Sequence, residues 1–308
     1  MNPRIGITMG DPSGIGPEVT LKAISKIKNI DVVLIGSKAI FVEAKQRFKI
    51  NGVPKIVNCT DVKQEDVPYG KISKKGGTAS YKSILCALDL IKKGEIDAIV
   101  TAPISKAALN LAGIHYPGHT ELLAAFTQTK RFAMMLASNN LRITLVTTHV
   151  PLKDVSSKLT INGILEKIEL THSFLIKYFN AQKPKIGICA LNPHAGEEGI
   201  LGHEESDKIS PAILKAKKKG INAFGPFPSD TLFTRNSFDA IVAMYHDQGL
   251  IPIKLRSFDK AVNITLGLPL IRTSPGHGTA FDIAGKGIAD PSSMIEAIKM
   301  AQRLVTGN

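Results

Sequence analysis

Three histidines occupy corresponding places in the chain, each at the end of an apolar, β-branched run. His149 closes "LRITLVTTH" (141–149), His194 closes "KIGICALNPH" (185–194) and His246 closes "FDAIVAMYH" (238–246). Imidazole nitrogens suit borderline divalent cations, and three of them at one sheet edge would hold such an ion while leaving positions open for a substrate. A single histidine at a strand end is more often a hydrogen-bonded structural residue; three at equivalent positions put a metal site in competition with that reading. Carboxylates stand close by: Asp247 beside His246, Glu197 in "NPHAGE" and Asp154 in "HVPLKD". They are of the right type to orient imidazoles or to move protons. Asp154 and Glu197 read equally well as turn residues and helix caps.

Two glycine-rich stretches have the composition of anion or nucleotide sites. "TMGDPSGIGPEV" (8–19) follows the first apolar run and opens a helical pattern with Pro17 near its start, so free backbone N–H groups there can meet an anion. It fails as a Rossmann fingerprint, because the third glycine is missing and "DVVLIG" (31–36) is followed by Ser-Lys instead of an acid for a ribose hydroxyl. The second stretch, "TSPGHGTAFDIAGKGIADP" (273–291), interleaves its glycines with His277, Asp282, Lys286 and Asp290 around a short helical turn. A plain flexible loop is the competing reading of equal weight, against which these interleaved side chains are more specific than glycine alone.

Positioning such residues takes a scaffold. Short apolar runs at 4–10, 31–36, 97–103, 141–149, 185–194 and 238–246 alternate with amphipathic segments such as 78–94 and 162–179, which predicts an α/β sheet with helices on its faces. Ligands then belong beyond the carboxyl ends of strands, where the histidines stand. After His246 and Asp247 the chain is expected to turn through Gly249 toward Pro252 and Lys254. At 308 residues the chain exceeds one ordinary core, so two lobes are expected. No apolar stretch approaches membrane-spanning length, and the N-terminus enters a strand pattern at once, which reads as cytoplasmic. Cys59, Cys86 and Cys189 form no CxxC pair and read as core fillers. The 39 basic against 26 acidic residues leave +13, compatible with nucleic acid, a membrane surface or an anionic substrate. Without a finger, RNP-like motif or basic arm, nucleic acid is not expected. The run "KAKKKG" (215–220) reads as the solvated end of a helix before Gly220.

Taken together, "GIGPEV" (14–19) and "GHGTAFDIAGKGIADP" (276–291) resemble the β-decarboxylating dehydrogenases, the isopropylmalate and isocitrate enzymes. Adding "TAPISK" (101–106), "GHTE" (118–121), "NPHAGE" (192–197), "YHDQGLIPIK" (245–254) and "VNITLGLPLIRTSPGHGTAFDIAG" (262–285), nearly the whole chain resembles the 4-hydroxythreonine-4-phosphate dehydrogenase family of vitamin B6 synthesis. The resemblance implies two α/β/α lobes of the isopropylmalate dehydrogenase-like type with a cleft between them. One would comprise 1–130 plus 256–308 on the cofactor side, the other 131–255 with the metal ligands and dimer contacts. It implies a homodimer whose active site is shared between subunits, with a divalent metal on His149, His194 and His246, zinc or else cobalt, manganese or magnesium. One of those histidines would come from the partner copy. It further implies substrate contacts at His119, Thr120, Lys254, Asn263 and Arg272, and NAD or NADP near Gly276, His277, Gly278, Asp282 and Asp290. Asp290 departs from the Asn of the related enzymes, which bears on the adenine contact. Asp247 is the candidate general base, with His119 as the other group able to take the hydroxyl proton.

The implied reaction oxidises C3 of a phosphorylated hydroxy-amino acid and releases carbon dioxide to give 3-amino-2-oxopropyl phosphate, on the route to pyridoxal phosphate. Two rivals remain: a relative acting on 4-phospho-threonate or 4-phospho-erythronate, and a metal-dependent binding protein without catalysis.

Overall fold

Each apolar run singled out above forms a strand. The computed structural model describes residues 2–138, 141–235, 237–257 and 260–307, and the chain divides into two units, 1–128 with 268–306 and 129–267 with the last two residues.

In the first unit, β1 (Arg4–Thr8), β2 (Asp31–Gly36), β3 (Lys55–Asn58), β4 (Ala98–Thr101) and β11 (Ile271–Pro275) lie side by side in the order β3-β2-β1-β4-β11, all parallel. Parallel strands need crossovers, and α1 (Gly16–Lys26), α2 (Lys38–Arg47) and α3 (Lys74–Lys92) supply them, followed by α4 (Lys106–Leu111), α5 (His119–Phe126) and the C-terminal α11 (Ser292–Thr306). The sequence marks several helix starts. Ser37, Ser73 and Ser105 each accept a backbone N–H three residues on, a cap contributing about 1 kcal/mol. Strand interiors such as Ile5, Ile7, Leu34 and Ile99 are fully buried, each stabilising by roughly 1.5–3 kcal/mol relative to exposure.

The second unit orders its strands β10-β5-β6-β9-β7-β8: β5 (Ala133–Ala137), β6 (Arg142–Leu145), β7 (Lys185–Cys189), β8 (Asn222–Phe227), β9 (Ala240–Ala243) and β10 (Val262–Leu266). The pairs β10/β5 and β5/β6 are antiparallel and the others parallel. Its helices are α6 (Val155–Lys158), α7 (Ile161–Phe179), α8 (Ser210–Lys218), α9 (Ser229–Leu232) and α10 (His246–Ser257). Leu136, Ile143, Leu145, Cys189, Ile241 and Ile253 close the core beneath α10. The sequence boundary near 255/256 falls inside α10, and the unit runs on through β10 to Gly267 because β10 pairs with β5.

The segment after His246 differs from its expected course. It continues as a helix through Gly249 and Pro252 where punctuation of that kind predicted a turn. Gly249 is there for packing: a Cβ would lie 2.6 Å from Leu145 Cδ2 and 2.9 Å from Ile143 Cγ2, so only glycine lets α10 sit this low on β6. Residues 276–291 likewise contain turns and no helix. Of the cysteines, Cys189 fills the core, while Cys59 and Cys86 are half-buried. Among the described residues no helix is long and apolar enough to cross a membrane.

Candidate active site

The strands stop short of the histidines. β6 ends at Leu145, β7 at Cys189 and β9 at Ala243, so His149 and His194 stand in the segments that follow and His246 opens α10. Backbone pairing runs on past β6 and β9: Val146 N donates to Ala243 O (2.8 Å) and Thr147 N to Met244 O (3.2 Å), and the Thr147 hydroxyl also donates to Met244 O (2.7 Å). This extension carries His149 and His246 to the same place, with ring centroids 6.0 Å apart. They line a cavity of about 420 Å³ with Thr148, Val150, Pro151, Leu152, Val155, Tyr245 and Asp247. Asp247 Oδ1 lies 2.7 Å from His246 Nδ1. With Nδ1–H donating to that carboxylate, Nε2 is the nitrogen left for a cation, the arrangement in which a carboxylate fixes a metal-binding imidazole. Gln248, which sequence reasoning passed over inside "YHDQG", locks this corner. Its Oε1 accepts Met244 N–H (2.6 Å), and its Nε2 donates to Ala190 O (2.7 Å) and Ser229 Oγ (2.8 Å).

His194 is not brought to the other two. Among the described residues no three His, Cys, Asp or Glu side chains of one chain gather as a metal site. His194 is exposed on an unusual turn: His194, Ala195, Gly196, Glu197 and Glu198 have φ of 51°, 58°, 83°, 44° and 56°. A left-handed residue other than glycine costs roughly 1–2 kcal/mol, so such a run persists only where its surroundings impose it. The donor set of one chain therefore fits a divalent cation through two imidazoles and lacks the third.

In the first unit, Arg272 on β11 is 2% exposed, and its Nε and Nη2 donate to Thr101 Oγ1 at 3.0 and 2.7 Å. Burial lowers its pKa to about 10, opposed by Glu121, so it stays charged at neutral pH. His119 and Thr120 start α5, and Thr120 is buried. Burial, with the Arg272 charge, holds His119 well below the usual histidine range, and its buried Nε2 has no hydrogen-bond partner. The pair is thus a buried cation beside a neutral imidazole. Lys254 and Asn263 belong to the second unit, Lys254 exposed on α10 and Asn263 on β10 with Oδ1 buried and unpartnered.

The two glycine-rich stretches, far apart in sequence, meet in the first unit. Ile15 N donates to Thr279 O (2.9 Å), and Gly14 approaches so closely that a Cβ would lie 2.8 Å from that oxygen. Glu18 Oε1 accepts from Ala289 N (2.9 Å) and Lys22 Nζ (2.7 Å), and Lys22 also donates to Gly287 O and Ala289 O. The loop bearing Gly276, His277, Gly278, Asp282 and Asp290 is so clasped to α1. Gly278 and Asp282 are exposed, and Gly276 N donates to Ser293 Oγ (2.9 Å). Burial lowers the His277 pKa, and its Nε2 is buried without a partner. Asp290 Oδ1 accepts from Ser292 Oγ and N (2.7 and 3.0 Å), which lowers its pKa and caps the start of α11. Asp11 is buried just after β1. Ser13 N donates to its Oδ1 (2.9 Å), Oδ2 has no partner, and burial raises its pKa to about 6.

The model of the pyridoxal phosphate biosynthetic protein PdxA family matches residues 10–301. A 4-hydroxythreonine-4-phosphate dehydrogenase of Sulfurihydrogenibium sp. (strain YO3AOP1) is 45% identical over 312 residues, covering 97% of each chain. A D-threonate 4-phosphate dehydrogenase of Cupriavidus necator is 43% identical over 330 residues, 99% of this chain and 98% of the relative. Among solved structures, the 4-hydroxythreonine-4-phosphate dehydrogenase of Klebsiella pneumoniae superposes with a TM-score of 0.89 at 38% identity, covering 99% of this chain and 98% of that one. With matches of this extent the chain belongs to the PdxA family of pyridoxal phosphate biosynthetic proteins, an α/β family of dehydrogenases.

Proposed function

We propose that the chain oxidises 4-hydroxythreonine 4-phosphate at C3 with NAD or NADP and releases carbon dioxide to give 3-amino-2-oxopropyl phosphate, a cytoplasmic step of pyridoxal phosphate synthesis. The observation that carries the reading is the full-length family match, and the chemistry of both units agrees with it. Arg272 presents a charged guanidinium suited to a phosphate or carboxylate, and Lys254 carries a point charge that suits the same groups. His119, held neutral, is a weak base and serves better as a hydrogen-bond partner of the substrate. A nicotinamide dinucleotide, when bound, would supply the hydride acceptor. A divalent cation, zinc or else cobalt, manganese or magnesium, supplies Lewis-acid polarisation, and His149, His194 and His246 would hold it. Asp247 holds the proton of His246 at Nδ1 and keeps Nε2 facing the cation; it is also the carboxylate nearest this site to take the hydroxyl proton. Gly276, His277, Gly278, Asp282 and Asp290 form the loop for the dinucleotide.

Because one chain gathers only two of the histidines, we assign the third to a second copy of this chain. Exposed apolar surface supports the homodimer. The three most exposed large apolar side chains among the described residues are Leu255 (83%), Ile200 (80%) and Leu152 (72%). Each follows one of the histidines within nine residues, so the segments that carry the proposed ligands also carry apolar side chains of the kind a partner copy would cover.

The D-threonate 4-phosphate relative makes the sugar-acid phosphate a second substrate candidate. Purified enzyme assayed for reduced nicotinamide on both substrates decides the matter: higher kcat/KM on 4-hydroxythreonine 4-phosphate is expected, and a preference for the sugar acid reverses the assignment.

A further inference from the structure

The left-handed turn at His194 needs an external restraint, and the structure contains one. Glu205 is 6% exposed. Its Oε1 accepts the N–H groups of Leu191 and Asn192, both at 2.8 Å, just before the turn begins. Its Oε2 accepts Asn192 Nδ2 at 3.0 Å and lies where a Cβ on Gly196 would come within 2.8 Å, so the turn closes over the carboxyl. Asn192 Nδ2 also donates to Glu204 Oε2 (2.7 Å), whose other oxygen accepts Ser156 Oγ (2.6 Å). On the far side Leu201 N donates to Gly196 O (3.0 Å) and Ile200 N to Glu197 O (3.1 Å). The turn is thus pinned at both ends, and the imidazole it displays is exposed.

We propose that Glu205 is a positioning residue for the third metal ligand: its buried carboxyl holds 191–198 in the left-handed form that presents His194 to a second copy of the chain. The proposal rests on His194 being a ligand. Without the carboxyl, two backbone N–H groups lose their acceptor, and the residues of the turn relax toward the right-handed region that L side chains favour. His194 then points elsewhere, and the cation must be bound at the cost of rebuilding the turn.

Full-length protein titrated with Co²⁺ as the probe tests this, with affinity read by chelator competition and ligand number by the visible absorption of the ion. Removing a partner that orients a ligand weakens metal affinity about 10–100-fold, and that is the loss expected for Glu205→Ala, with a Co²⁺ spectrum like that of His194→Ala. Glu205→Gln keeps an oxygen for both N–H groups and should stay within about threefold of wild type. Wild-type Co²⁺ affinity in Glu205→Ala, with loss in His194→Ala, overturns the proposal. Undiminished affinity in His194→Ala instead removes the reading on which it rests. Should circular dichroism show Glu205→Ala unfolded, Glu205→Asp decides: it keeps the charge but draws the carboxyl one methylene back from the N–H groups of Leu191 and Asn192, so a several-fold weaker Co²⁺ affinity supports the restraint and an unchanged one overturns it.

Discussion

Asp247 can serve His246 or the substrate, and its two tasks separate on substitution. Asp247→Asn preserves shape but weakens the hold on Nδ1, so metal affinity should fall about 10-fold or more while turnover at saturating metal stays near wild type if orientation is the task. Near-complete loss of turnover with metal bound would instead make Asp247 the base. Asp11 gives a second test at this scale. Its carboxyl pKa is raised from 3.8 to about 6, so the folded chain binds more protons than the unfolded one between those values. Its contribution to stability is then fully present below about pH 4 and is lost as pH rises through about 6, an effect of at most about 3 kcal/mol at 1.36 per unit. Chemical denaturation across pH 4–8 should show Asp11→Asn gaining on wild type as pH rises; parallel curves would contradict it. The candidate ligands could be singled out in the sequence because His149, His194 and His246 each follow a strand within five residues. Their supports could not, since Gln248 and Glu205 act through bonds to distant backbone groups that no local pattern announces.

At the scale of elements, the clasp between α1 and the 276–291 loop predicts a kinetic split. Glu18 is 1% exposed, and its Oε1 ties Ala289 N to Lys22. Glu18→Gln weakens both bonds and should raise KM for the dinucleotide several-fold with little change in kcat, because the clasp shapes the loop proposed for the dinucleotide and would leave the reacting atoms untouched. Equal KM values in a side-by-side assay would show the loop to be held by Thr279 and its own turns alone. Strands β1, β2, β4, β6, β7 and β9 were legible from their apolar runs, and α3 and α7 from helical periodicity. Helix α10 was hidden, since Gly249 and Pro252 mimic turn chemistry while answering to packing against β6. The meeting of "GIGPEV" with the second glycine-rich loop joins residues more than 250 apart and is not encoded locally.

For the whole molecule, the assembly and the metal should fail together. Leu255 is 83% exposed, so Leu255→Glu should alter the stability of a lone chain by no more than about 0.5 kcal/mol. In a dimer that covers this side chain the added charge is costly, and light scattering should report monomer, with metal affinity reduced alongside. A variant that stays dimeric with full metal binding would place the interface elsewhere. Exhaustive chelation should abolish turnover and zinc should restore it. The two units could be anticipated from length, but where the chain crosses from one to the other could not, because β10 is assigned by its pairing with β5 and not by its composition.

Gly249 leaves α10 no room for even one added methyl group. An added methyl must push back the ends of Leu145 and Ile143, so Gly249→Ala should lower stability by roughly 1–3 kcal/mol in chemical denaturation. The helix that begins at His246 is in effect bolted to the sheet at its second turn, which keeps the corner formed by His246, Asp247 and Gln248 fixed against β6.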